Sequence, residues 1–177
     1  MGEATDEELM LAYRGGDAAA FETLYSRHRA RLFRFVLRSV KTRALAEELY
    51  QETWMRVIEA RGRYAPKARF TTWLYTIAHN QLVDHWRKRG LNLVPLEGDE
   101  LIGTSPDPAE QAQARQALER FAAALEALPA LQREAFLLHE EAELSVAEIA
   151  EATACDPEAA KSRLRYAMAK LKAAVDD

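Results

Sequence analysis

A single cysteine, Cys155, stands in 177 residues, so no internal disulfide framework is available, and such sparse usage is ordinary for a reducing compartment. No apolar run approaches the length needed to cross a membrane, and the first residues, MGEATDEELM, are acidic where a signal peptide would be basic. A cytoplasmic protein is therefore expected. Glycine and proline are scarce, at 7 and 6 residues, and no period-two run of β-branched residues is long enough for a strand. Ala, Leu, Glu and Arg dominate instead, which favours long helices and predicts an all-α fold. Catalytic signatures are missing too. His28, His79, His85 and His139 are scattered without metal-ligand spacing, and there is no glycine-rich phosphate loop and no nucleophile motif. The chain reads as a non-enzyme that needs no metal or cofactor.

The formal charge of −4 would argue against a nucleic-acid partner if it were evenly spread, but it is not. Residues 1–95 carry 16 Lys/Arg against 11 Asp/Glu, a balance of +5; residues 96–115 hold one base against five acids; residues 116–177 hold seven against twelve. Within the last part, Lys161 to Val175 contains five bases and no acid.

Helices follow from caps and spacing. Thr5 or Asp6 can cap a first helix that ends at Gly15-Gly16, and Asp17 can cap a second with Phe21, Leu24, His28, Leu32, Phe35 and Val36 at helical spacing. Arg27, Arg31, Arg34 and Arg38 form its basic edge. A third helix is expected over 43–60, exposing Glu47, Glu48, Gln51, Glu52 and Arg56; spacing alone makes this a solvated face. The segment RGRYAPKAR, 61–69, is broken by Gly62 and Pro66 and forms a basic loop with one aromatic ring. It leads into FTTWLYTIAHNQLVDHWRKR, 70–89. There Phe70, Trp73, Leu74, Ile77 and Ala78 make a core-facing stripe, and Thr72, Thr76, Asn80, Val83 and Arg87 a second face that is polar without being acidic. Such a face can lie against nucleic acid or simply against water.

After Gly90 the composition changes to LNLVPLEGDELIGTSPDPAE, which has three prolines and no base, an acidic and extended linker. The chain is expected to divide into residues 1–95, a linker at 96–110 and residues 111–177. Beyond the linker, helices are expected over 108–128 and 131–143. Ser145 with Glu148 then forms a capping box, and Asp156-Pro157 opens a longer basic helix with Leu164, Met168 and Leu171 packing behind it. A short helix, a tight turn and a basic helix are helix-turn-helix geometry, which suits a major groove. On these grounds the chain is a nucleic-acid-binding protein, with a stand-alone helix-turn-helix regulator as one form it can take.

Three segments in order resemble the extracytoplasmic-function class of bacterial RNA polymerase sigma factors. AEELYQETWMRVIEA, 46–60, is similar to the family's polymerase-binding helix; 70–89 resembles its helix for the minus-ten promoter element; and 128–172 resembles its reader of the minus-thirty-five element. The resemblance implies core RNA polymerase, promoter DNA in duplex and melted form, and an anti-sigma factor as partners. By similarity Glu48, Gln51, Glu52 and Arg56 would meet polymerase. Tyr64, Lys67, Arg69, Thr76, Asn80, Val83 and Arg87 would meet the minus-ten element, with an unstacked base held near Asn80 and Tyr64. Glu158, Lys161, Ser162, Arg163 and Arg165 would contact the upstream element. The chain departs from the family pattern at Glu48, at Ala154 in the turn where glycine is usual, at Glu158, and in the acidic run His139 to Glu143.

Overall fold

A computed structural model describes residues 2–90 and 110–176; the linker expected at 96–110 lies outside them except for Glu110. The described residues form eight α-helices and one 3-10 turn, with no strand, as an all-α sequence should. The first half contains α1 (Asp6–Arg14), α2 (Ala18–Ser39), α3 (Arg43–Ala60) and α4 (Phe70–Lys88). The second contains α5 (Glu110–Ala127), α6 (Ala130–Glu140), α7 (Val146–Ala152) and α8 (Pro157–Asp176).

The caps fall where side-chain acceptors are available. Thr5 and Glu8 satisfy each other's backbone N–H groups at the start of α1, and Asp17 accepts from Ala19 and Ala20 at the start of α2. Thr42 caps α3, and Asp156 accepts from the Glu158 N–H at the start of α8. α4 has no local cap. Its first N–H, on Phe70, donates to Glu7 of α1 at 2.8 Å, so the first helix closes the end of the fourth. Gly90, at φ +67, ends α4 in a conformation that favours glycine.

α4 is buried on two sides. Phe70, Leu74 and Ala78 face inward as the periodicity predicts, while Trp73 and Ile77 are only partly covered. The buried set also includes Thr72, Tyr75, His79, Leu82 and Trp86, which lie on the other side of the helix. The cause is tertiary: α3 packs against one side of α4, and α7 of the second half against the other. α2 likewise meets α6, and the buried apolar residues of both halves join in one cluster.

Two expectations in the second half are corrected. α6 stops at Glu140 rather than Glu143, because Glu143 adopts φ +56 and Leu144 turns back so that its N–H reaches the Leu138 carbonyl. In α8, Leu164 and Leu171 are buried but Met168 is exposed; Ala167, one residue earlier, takes the inward position. No described helix is long and apolar enough to cross a membrane.

Candidate protein and nucleic-acid interfaces

The outward face of α3 is built by the 3.6-residue repeat. Glu48, Gln51, Glu52, Met55 and Glu59 fall within roughly 100° of one another round the helix, and all are exposed. Met55 is 51% exposed in the middle of this acidic stripe. A large apolar side chain among acids suits a protein partner better than a nucleic acid, since phosphate would be repelled by its neighbours. Sequence reading missed Met55, although its i+3 spacing from Glu52 and i+4 spacing from Gln51 could have found it. Arg56 pairs with Glu52 at 3.0 Å and stands at the edge of this stripe, turned toward α4.

That edge borders an open hollow lined by Arg56, Glu59, Ala60, Arg63, Ile77, Asn80 and Gln81. Asn80 is exposed there, and Arg56 and Arg63 supply positive charge. Asn80 thus shares the hollow with Arg63 of the basic loop, whereas Tyr64, Lys67 and Arg69 do not line it. Lys67, Arg69 and Arg87 are exposed, and Thr76 and Val83 half-buried.

Tyr64 corrects the reading of the loop. It is only 1% exposed, with its ring edge-on to Trp73 at 5.0 Å and to Phe70 at 6.4 Å. Arg14 donates to its carbonyl at 2.9 Å, and burial, followed by the nearby Glu7 and Asp6 charges, pushes its hydroxyl up to about 12. The ring is a core side chain that anchors the loop and cannot stack on a base in this conformation. Arg61 and Arg63 form the 3-10 turn before it, so the turn directs the aromatic inward and the cations outward.

In the second half the helix-turn-helix is α7, the turn 153–156 and α8. Ser145 and Glu148 make the expected capping box, and Ala154 holds φ +51 in the turn, a left-handed conformation that an alanine adopts under strain. Thr153 is buried beneath it and its hydroxyl meets the Cys155 sulfur at 3.3 Å. On α8, Glu158, Lys161 and Arg165 are exposed along one face, with Ser162 half-buried beside them. Arg163 sits about 140° round the helix from Glu158. It is half-buried and does not share that face.

Glu148 also reaches across to the first half. Its carboxylate accepts from the Thr72 hydroxyl at 3.0 Å and pairs with Arg69 at 3.4 Å, besides accepting from Ser145. Burial acts to raise its pKa, yet the hydrogen bonds from Ser145 and Thr72 and the Arg69 charge outweigh it and hold the carboxyl below the usual range. Thr72, expected on an open face, is therefore 2% exposed.

Comparison with known proteins fits this geometry. Residues 24–91 match Sigma-70 region 2, and residues 118–171 match Sigma-70, region 4. The RNA polymerase sigma factor CarQ of Myxococcus xanthus is 36% identical over 166 residues, covering 92% of this chain and 93% of that protein. The ECF RNA polymerase sigma factor SigM of Mycobacterium tuberculosis is 28% identical, covering 96% and 84%. The sigma factor RpoE of Bartonella quintana, solved with the anti-sigma factor NepR, aligns with a TM-score of 0.68 at 26% identity over 88% of this chain and 96% of that one. CnrH, solved with the cytosolic domain of CnrY, shares the fold with a TM-score of 0.71 at 24% identity over 97% of each chain. With two family regions in order and a relative matched nearly end to end, the chain belongs to the extracytoplasmic-function class of RNA polymerase sigma factors.

Proposed function

We propose that this sigma factor binds core RNA polymerase through the outward face of α3 and takes it to promoters that it reads at two separate elements. Residues 1–95 serve polymerase and the minus-ten element, and residues 111–177 serve the minus-thirty-five element. The carrying observation is the hollow at the α3–α4 junction. It joins an exposed amide, Asn80, to the cations Arg56 and Arg63 beside a partner-suited acidic stripe. An amide can hydrogen-bond the edge of a base that has left the stack, and the cations can hold its phosphate.

Glu48, Gln51, Glu52 and Met55 meet polymerase, with Arg56 at their border. Lys67, Arg69, Thr76, Asn80, Val83 and Arg87 meet the minus-ten element. Glu158, Lys161, Ser162 and Arg165 face the upstream duplex, where Glu158 can accept from a cytosine amino group. Arg163 acts at the flank of that surface, toward phosphate. The chain performs no catalysis itself and works in the cytoplasm. An anti-sigma factor is a further partner, as RpoE has in its solved complex.

Run-off transcription with purified core polymerase and a promoter library tests this reading. Promoter-specific transcripts that need both core and this chain are expected. Tight, sequence-specific protection of a duplex site by the chain alone would favour a stand-alone regulator instead.

A further inference from the structure

The stretch that matches Sigma-70 region 2 begins at residue 24, so α1 lies ahead of it. Yet α1 holds the basic loop and the start of α4 through three of its side chains. Arg61 donates to the Tyr13 hydroxyl at 3.1 Å, with its guanidinium 5.2 Å from the centre of that ring. Arg14 donates to the Tyr64 carbonyl at 2.9 Å, and Glu7 accepts from the Phe70 N–H at 2.8 Å. α1 is in turn tied to α2, where His28 meets Asp6 at 2.8 Å and Arg27 donates to Asp6 at 3.1 Å.

The loop needs outside support, because Gly62 adds backbone freedom and Pro66 has no N–H to donate. Among the described residues, its internal backbone bonds run from the Tyr64 N–H to the Arg61 carbonyl at 3.3 Å and from the Lys67 N–H to the Ala65 carbonyl at 2.8 Å. Arg63 stands between the held residues Arg61 and Tyr64, and it lines the hollow with Asn80. Fixing both flanks fixes where the Arg63 backbone lies. α1 is a poor nucleic-acid surface in its own right, since Asp6, Glu7 and Glu8 fill its first turn and would repel phosphate. What it supplies is position.

We infer that Glu7, Tyr13 and Arg14 are positioning residues for the minus-ten site, holding residues 61–70 so that Arg63 and the start of α4 are ordered before a base arrives. The inference rests on the reading of the hollow as that site. A loop ordered in advance spares the capture of the base its entropy cost. α1 should therefore act on promoter melting and leave core binding, on the exposed face of α3, unchanged.

Hydrogen exchange on the full chain and open-complex formation with core polymerase test this together. In Glu7→Ala the Phe70 amide should lose about tenfold in protection, whereas Glu7→Gln, which keeps an acceptor oxygen, should retain most of it. Arg14→Ala should slow open-complex formation on a duplex promoter by about two- to tenfold at unchanged core affinity. Arg63→Ala should slow it too, and the double variant Arg14→Ala with Arg63→Ala should match Arg63→Ala alone within about twofold. Wild-type protection at Phe70 in Glu7→Ala would overturn the positioning role. So would multiplied slowing in the double variant, since Arg14 would then meet DNA independently of Arg63. Core affinity that falls in Arg14→Ala together with the melting temperature would overturn it as well, because a merely structural residue behaves that way. If Arg63→Ala and Asn80→Ala both formed open complexes at the wild-type rate while Glu7→Ala still exposed the Phe70 amide, the reading of the hollow would be overturned, and the consequence for melting with it, separately from the hold of α1 on the loop.

Discussion

At the scale of single residues, burial decides what a side chain is for. Tyr64 belongs to the core, and its hydroxyl has no hydrogen-bond partner among the described residues. Tyr64→Phe is therefore expected to leave the melting temperature unchanged or slightly raised, and promoter melting unaffected; Tyr64→Ala should cost about 3–5 kcal/mol in urea unfolding. Slower promoter melting by a fully folded Tyr64→Phe would return the ring to the DNA site. Asp6 works oppositely, as a charge that stabilises. His28, hydrogen-bonded to it at 2.8 Å, is the main cause that holds its pKa below the ordinary 3.8, and Arg27 adds to it against the opposing effect of burial. A depressed carboxyl contributes stability above its unfolded pKa and loses it as pH falls through the folded value. Asp6→Asn should lower the melting temperature at pH 7, and the gap should close as pH is taken below about 3.8. A gap that persists at pH 2.5 would show that packing, not charge, is what Asp6 supplies.

At the scale of elements, neighbouring helices divide the work. α3 presents acids and Met55 outward while α4 presents Asn80, so the two surfaces can be separated by substitution. Gln51→Ala with Glu52→Ala should weaken core binding. Asn80→Ala should leave it intact and slow open-complex formation, most on duplex templates and least on one already opened at the minus-ten element. If Asn80→Ala lost core affinity, these assignments would have to be exchanged. On α8, Lys161→Ala and Arg165→Ala are expected to weaken promoter binding on every sequence, whereas Glu158→Ala should relax discrimination at one base pair by roughly 1–3 kcal/mol. Comparing polymerase complexes on a set of single-base upstream variants reads this directly. Uniform loss with Glu158→Ala would mean that the residue does not touch a base.

At the scale of the whole molecule, the basic surface is divided between two halves and the net charge is −4. The free chain should therefore bind duplex DNA weakly, and a titration from 50 to 200 mM salt should abolish what binding there is, as phosphate contacts require. Salt-insensitive binding would point to apolar contacts instead. The helices themselves were legible in the sequence. Thr42 and Arg43–Ala60, the Ser145–Glu148 box and the Asp156-Pro157 start are set by caps and spacings that act over three or four residues. The acids on the face of α3 could be read the same way, since they stay exposed among the described residues. The second face of α4 could not. Its periodicity marks Thr72 as free to meet a ligand, yet Thr72 is covered by Glu148, 76 residues away, and His79 pairs with Glu134, 55 residues away. Helical order depends on neighbours along the chain, so the sequence by itself determined the elements and the chemical kind of partner they suit. Which surfaces stay open depends on charges that meet only after folding, and that was decided by the tertiary structure alone.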